Sequence, residues 1–330
     1  MEDTYESRVT NDYEEPIVQP AIWDMDTRDE DGEAPPEPEP SHSGIQAQSS
    51  VCIAPLQRRF DAALDDLATQ LADGHTDAYR QLVAFYSRFH HFSLANSILI
   101  MLQKPDANAV AGYEKWKQRG RQVRKHTKAA RIWCPLKFKA LNCKNAKDSE
   151  DDDEIVQLGV RGFKACYVFA DKDLIDADTN PIPVTRPLLA DNYPELLQRL
   201  KTAVIASGVT LREVPHIRGA EGYYTRSSHQ IVLVQDRDSH NQVLIILHEW
   251  AHALFHHEEE AANWPQALKE FQSETVAMVM GHILGVPSPY ANDYLLSFGV
   301  TAAQLKASIG HIHGLVGQMT KQLNTPSTAL

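Results

Sequence analysis

Apolar residues recur at helical spacing through the first third of the chain. An apolar side chain stands at every third or fourth position over residues 60–71, which predicts an amphipathic helix beginning near residue 58. The same spacing continues over residues 79–92. Ser93 is placed to cap a third helix that carries apolar residues over positions 94–101. From about residue 58 the chain is therefore expected to form a helical segment.

Shorter apolar and aromatic runs predict strands. Residues 130–136 and 163–169 are expected to pair as a hairpin, with the acidic run 148–154 in its loop. Further on, the pattern predicts a helix at 194–206, a strand at 209–214 and a second hairpin from 221–225 and 230–234. These elements predict an α+β fold, with an N-terminal α+β domain followed by a domain built on a small sheet and helices.

A His-Glu-x-x-His motif stands inside an apolar run at residues 244–254. Residues four apart share one face of an α-helix, so His248 and His252 can direct imidazole nitrogens at one Zn²⁺. Glu249 is placed to act as general base on a zinc-bound water. Buried imidazoles and carboxylates cost free energy unless a metal or hydrogen bonds satisfy them, so the aliphatic setting favours a metal site over a chance match.

The third ligand decides the class of metal site. Phe255 and Glu258 stand where a metzincin has Gly and a third His, so that class does not fit. A helix predicted over residues 267–280 carries two carboxylates one turn apart, Glu270 and Glu274. Glu274 is favoured because its neighbours are apolar, and Glu270 stays as the alternative. Two His and one Glu leave a position open for water, which is typical of catalytic zinc.

Charge is distributed unevenly along the chain. The formal net charge is −12, and residues 1–40 alone carry 14 acidic and two basic residues, so the remainder is formally neutral. High charge and few large apolar groups predict a disordered acidic tail over residues 1–50. The alternative is a mimic of nucleic acid that occupies a basic groove until it is displaced.

A basic segment follows the first helices. Residues 104–147 contain 13 basic and two acidic residues, with Tyr113, Trp116, Trp133 and Phe138 interleaved. Basic groups track phosphates, and aromatic faces stack on unpaired bases with little sequence preference. A solvated basic face would have the same composition, but the size of the excess favours contact with single-stranded nucleic acid.

Cysteine usage and hydropathy indicate the compartment. Cys52, Cys134, Cys143 and Cys166 form no Cys-x-x-Cys pair and are expected to be reduced thiols. The acidic N-terminus lacks the apolar core of a signal peptide, and no apolar run approaches the roughly 20 residues that span a bilayer. We therefore expect a soluble, cytoplasmic protein with no membrane partner.

With these residues in view, the chain resembles the ArdC-like antirestriction family of plasmids and phages over residues 55–320. Its N-terminal part is similar to that family's single-stranded-DNA-binding domain through residues 85–96, 103–105, 111–116, 120–121 and 162–169. Its C-terminal part is similar to the family's zincin-like metallopeptidase domain and to SprT-type proteases through residues 248–252, 273–277 and 291–299.

The resemblance and the composition together predict a domain order and a set of DNA contacts. We expect a disordered acidic tail (1–50), a single-stranded-DNA-binding domain (51–172), a linker (173–190) and a zincin-like metallopeptidase domain (191–330). The candidate contacts to DNA come from the matched N-terminal motif and the basic segment: Arg88, Asn96, Lys115, Trp116, Lys117, Arg119, Arg121, Arg124, Lys125 and Arg131.

The function expected from these features is protection of incoming mobile DNA against restriction enzymes. The chain would bind single-stranded DNA, and Zn²⁺ held by His248, His252 and Glu274 would serve peptide hydrolysis with Glu249 as base. Two alternatives stay open. The protein could protect DNA by coating it, with a structural or inactive metal site, or it could be a SprT-like protease that removes proteins crosslinked to DNA.

Overall fold

The computed structural model describes residues 45–140, 157–182, 192–255, 257, 261, 263–286 and 299–324. The predicted acidic tail up to residue 44, the acidic run at 148–154, residues 183–190 of the linker and the predicted segment at 291–298 lie outside these residues. Among the described helices, none combines the length and the apolar character needed to cross a bilayer.

The N-terminal part begins with helices and continues into a hairpin. Its helices are α1 (Ile45–Ala72), α2 (Asp77–Arg88), α3 (Leu94–Gln103) and α4 (Tyr113–Gln118). Its strands are β1 (Val110–Ala111), β2 (Ala130–Ala140) and β3 (Gln157–Ala170). The first helix starts earlier than residue 58, because the Gln, Ala and Ser residues before the apolar stripe are compatible with a helix but carry no periodicity.

The first sheet has the order β1-β3-β2, and both pairings are antiparallel. The hairpin expected from residues 130–136 and 163–169 is confirmed, with Arg131 opposite Tyr167 and Ile132 opposite Cys166. Its buried positions alternate with exposed ones: Ile132 and Val168 lie in the core, while Arg131 and Tyr167 are exposed. One face of this end of the hairpin is therefore open to solvent.

Two amide side chains of α3 cover the outer edge of β2. The Asn96 amide donates to the carbonyl oxygen of Trp133 at 2.9 Å, and the Trp133 N–H donates back to Asn96 Oδ1 at 2.9 Å. Gln103 pairs with the N–H and carbonyl of Arg131 in the same way, at 3.0 and 2.9 Å. These amides satisfy backbone groups that an open edge would otherwise leave for another strand.

The C-terminal part alternates helices with a second sheet. Its elements are α5 (Tyr193–Ala206), β4 (Thr210–Val214), β5 (Gly222–Thr225), β6 (Gln230–Val234), α6 (Ser239–Phe255), α7 (Gln266–Leu284) and α8 (Ala302–Asn324). The sheet order is β4-β6-β5, with β4 parallel and β5 antiparallel to β6. The predicted strands and the second hairpin are confirmed, and β5 lies at the edge of this sheet.

One hydrophobic core contains side chains from both parts of the chain, among them Phe60, Leu200 and Trp250. Polar contacts join the same elements. The Tyr79 hydroxyl of α2 lies 2.7 Å from Thr275 Oγ1 of α7, and the contact is buried. The observed architecture is mixed α/β with two small sheets, and the boundaries expected at residues 172 and 190 stay a prediction.

Candidate metal centre and nucleic-acid surface

Helix α6 carries the His-Glu-x-x-His motif and is fixed by its apolar face. Val243, Ile246 and Leu247 are fully buried, and the Trp250 indole N–H donates to Ser207 Oγ at 3.0 Å. Strand β5 approaches this helix closely at Gly222, where an added Cβ would lie 2.5 Å from a side-chain carbon of Ile245. The glycine therefore allows the edge strand to lie directly beside the motif.

His248, His252 and Glu270 form a group that could hold a divalent metal ion. The Nε2 atoms of the two histidines lie 3.0 Å apart. Oε2 of Glu270 lies 3.2 Å from Nε2 of His248 and 3.3 Å from Nε2 of His252. Three ligand atoms from two helices therefore point at one small volume, as the spacing of the motif predicts.

Hydrogen bonds orient these ligand atoms from outside. Gln266, one turn before Glu270 on α7, donates to Oε1 of that carboxylate and leaves Oε2 facing the imidazoles. Nδ1 of His248 lies 3.0 Å from Oε2 of Glu274. A carboxylate that accepts the Nδ1–H of a histidine fixes the tautomer whose Nε2 has a free lone pair.

The same contacts set the protonation of the group when no metal is bound. Burial opposes the charged form of His248, but hydrogen bonds to Glu270 and Glu274 outweigh it and raise its pKa to about 10. Burial opposes ionisation of Glu270, yet hydrogen bonds from His248 and His252 hold its pKa well below the usual range. The cluster thus stabilises a proton in the place where a cation would bind.

The structure places the two candidate third ligands differently from the sequence prediction. Glu270, the alternative, completes the three-atom group, whereas Glu274 contacts the outer nitrogen of His248. The assignment of Glu274 as third ligand stays a prediction, and the arrangement favours Glu270. The sequence showed both carboxylates on one helix face but gave no signal for Gln266, which orients one of them.

Glu249 lies half-buried beside the group. Burial raises the pKa of its carboxyl above the ordinary value, and the nearby histidines offset part of this rise. The backbone N–H of Tyr224, on the edge strand β5, donates to the carboxylate. Because a general base works best with a pKa near the operating pH, this environment suits the role expected for Glu249.

Three of the expected DNA contacts have side chains with internal partners, and their contact with DNA stays a prediction. Asn96 is buried and pairs with the backbone of β2. Trp116 is fully buried, and its indole N–H donates to the carbonyl oxygen of Phe169 at 2.9 Å. Arg121 forms an ion pair of 2.7 Å with Asp176 and is mostly shielded from solvent.

The other expected DNA contacts lie at the surface and keep their role as predictions. The exposed candidates are Arg88, Lys115, Lys117, Arg119, Arg124, Lys125 and Arg131. Three of them belong to α4 or its end, where Trp116 anchors the helix to β3. The buried tryptophan therefore fixes the position of the helix that carries these basic side chains.

The fold and the site define a mixed α/β protein with a candidate divalent-metal centre on a His-Glu-x-x-His helix. Residues 60–169 match the family model described as the N-terminal domain of anti-restriction factor ArdC. This part of the chain is similar to that domain, in agreement with the sequence resemblance. The match ends before the metal-centre residues.

The solved structures that are similar to the chain include two of the antirestriction ArdC protein from the R388 plasmid. The metal-free structure has 16% sequence identity and a TM-score of 0.44, covering 69% of this chain and 84% of that chain. The Mn(II)-bound structure has 16% identity and a TM-score of 0.42, covering 70% and 89%. No curated protein matches the chain.

Proposed function

We propose that this chain is an antirestriction protein that binds single-stranded DNA and hydrolyses peptide bonds with a zinc-dependent, zincin-like site. The observation that carries the proposal is the triangle formed by Nε2 of His248, Nε2 of His252 and Oε2 of Glu270, with Glu249 beside it. The ArdC N-terminal domain supports the DNA-binding part. Restriction enzymes are the proposed protein substrates.

The donor set fits a divalent ion. Ligands at about 2.0–2.2 Å in a tetrahedral site lie about 3.3–3.6 Å from one another. The three measured separations of 3.0–3.3 Å are close to this range. Two imidazoles with one carboxylate suit Zn²⁺, and they also accept other first-row divalent metals, so Zn²⁺ is the proposed ion.

His248, His252 and Glu270 would hold the ion, and the ion when bound supplies Lewis-acid chemistry toward a peptide carbonyl. Glu249 takes a proton from the attacking water on its carboxylate and passes it to the leaving amine. Glu274 holds the His248 ring in its orientation. The buried face of α6 keeps water from the rear of the site.

The proposed DNA binding depends on electrostatic attraction between basic side chains and phosphates. The exposed basic residues on and after α4 would neutralise phosphates, and binding would weaken as salt concentration rises because counterions are released. The proposed DNA-binding and peptidase functions lie in two parts of the chain that share one hydrophobic core. DNA would therefore concentrate protein substrates near the metal centre.

The test is proteolysis by the full-length chain loaded with Zn²⁺ or Mn²⁺, with and without single-stranded DNA. Wild type and Glu249→Gln are compared on candidate restriction enzymes and on the protein itself. We expect cleavage by wild type, stimulation by DNA and no cleavage by the variant. Calorimetry should show that Glu249→Gln still binds the metal, which separates loss of the base from loss of the site. Tight DNA binding without cleavage by either form would instead support a coating protein.

A further inference from the structure

Exposed aromatic side chains concentrate on one strand of the N-terminal sheet. Among the described residues, the exposed large aromatics are Tyr113, Phe163, Tyr167 and Tyr223. Three of these four lie on or beside β3, and Tyr167 is 59% exposed. Exposing a tyrosine ring to this extent forgoes the stabilisation that burial would provide. Such a group of rings is therefore a candidate binding surface.

The strand alternation places these rings in one row. Phe163, Tyr167 and Phe169 lie four and two positions apart along β3. Because side chains alternate between the faces of a strand, all three share one face. Phe169 is half-buried and contacts the Tyr113 ring edge-to-face at a centroid distance of 6.3 Å. We call Phe163, Tyr167, Phe169 and Tyr113 the aromatic row.

Basic groups flank the aromatic row. Arg131 stands directly opposite Tyr167 on β2 and is exposed. Lys115 and Lys117 follow Tyr113 on α4 and are exposed as well. Within the surrounding segment, residues 104–147, basic residues outnumber acidic residues by 11. Charge and exposed rings occur together, which fits a polyanion that also presents flat apolar faces.

We propose that the aromatic row is the base-stacking surface for single-stranded DNA, with Tyr167 as its central contact. This inference rests on the proposed function and gives that function a defined site. Rings on a sheet face can stack successive unpaired bases, while Arg131 and the lysines of α4 contact the phosphates on either side. Double-stranded DNA offers no free base faces, so the row selects single strands.

The test uses fluorescence anisotropy with the full-length chain and two labelled ligands, oligo(dT) and an abasic oligodeoxynucleotide of equal length. Tyr167→Ala should lower affinity for oligo(dT) by about 5- to 150-fold and leave affinity for the abasic strand unchanged. Tyr167→Phe should retain binding because the ring remains. Tyr223→Ala is the matched control, since Tyr223 is 42% exposed but lies on β5 in the other sheet.

Two results would overturn the stacking site while leaving DNA binding intact. One is wild-type affinity of Tyr167→Ala for oligo(dT). The other is an equal loss of affinity for both ligands, which would make Tyr167 a contact to the backbone. A wild-type chain that binds neither ligand would overturn the proposed DNA binding itself. Photocrosslinking with 5-iododeoxyuridine should label the aromatic row, and labelling confined to other segments would also exclude this site.

Discussion

Removing Glu270 and Glu274 in turn distinguishes a metal ligand from a residue that positions one. Both carboxylates lie on α7 one turn apart, but they meet different nitrogens of the same imidazole. Glu270 also contacts His252, whereas the Glu274 carboxylate lies 3.0 Å from Nδ1 of His248, on the other side of that ring. We expect Glu270→Ala to weaken metal binding more than Glu274→Ala.

The size of each loss in metal affinity follows from these two roles. Removing a group that orients a metal-bound histidine costs about 10- to 100-fold in metal affinity, or roughly 1.4–2.8 kcal/mol. Glu274→Ala should fall in this range. Glu270→Ala should exceed it, because a donor atom itself is lost. Titration calorimetry with Zn²⁺ and Mn²⁺ at fixed pH measures both values.

The control is Glu114→Gln, which removes an exposed carboxylate on α4 and should leave metal affinity unchanged. If Glu274→Ala abolished binding while Glu270→Ala cost 100-fold or less, the roles argued from the geometry would be reversed. Glu274 would then be the ligand that its apolar sequence neighbours favoured. Equal small losses for both variants would argue against a metal centre that uses a carboxylate from α7.

Two further predictions concern stability. Asn96→Ala should lower the free energy of unfolding by about 1–3 kcal/mol in urea, because two backbone groups of Trp133 lose their partner; unchanged stability together with lost DNA binding would make Asn96 a DNA contact after all. In the metal-free protein, the raised pKa of His248 contributes stability that is complete below about pH 6.5 and is lost as the pH rises to about 10. The urea midpoint should fall across that window relative to His248→Gln, and parallel pH profiles of the two proteins would contradict the reasoning.

Local patterns in the sequence were sufficient for much of the fold. The helix expected at residues 194–206 is α5, and the strand expected at 230–234 is β6 with the same bounds. The metal motif could also be predicted from the sequence, because two histidines four residues apart on a helix share one face whatever surrounds them. These features depend on spacing along the chain, which the sequence records directly.

Features that depend on residues far apart in the sequence could not be predicted in the same way. The partner of Asn96 lies 37 residues away and that of the Trp116 indole lies 53 residues away. Trp116 stands in a segment whose composition indicates nucleic-acid binding, and Asn96 stands in a motif that resembles a DNA-binding domain. A structural role of either residue could therefore not be separated from a functional one. For Tyr167 the sequence suggests a buried strand residue, and only its exposure in the structure indicates a binding role.

The choice between Glu270 and Glu274 depends on contacts from the other part of the chain. Helix α7 presents these carboxylates to α6, while Phe271 and Thr275, the residues that follow each of them, meet Tyr79 of α2. The Tyr79 and Phe271 rings lie 5.6 Å apart, and the Tyr79 hydroxyl bonds to Thr275. Contacts with α2 therefore help to set the rotation of α7 about its axis. The candidate metal centre depends on the packing of both parts of the chain, because α2, which helps to position its carboxylates, lies within the segment that matches the ArdC N-terminal domain.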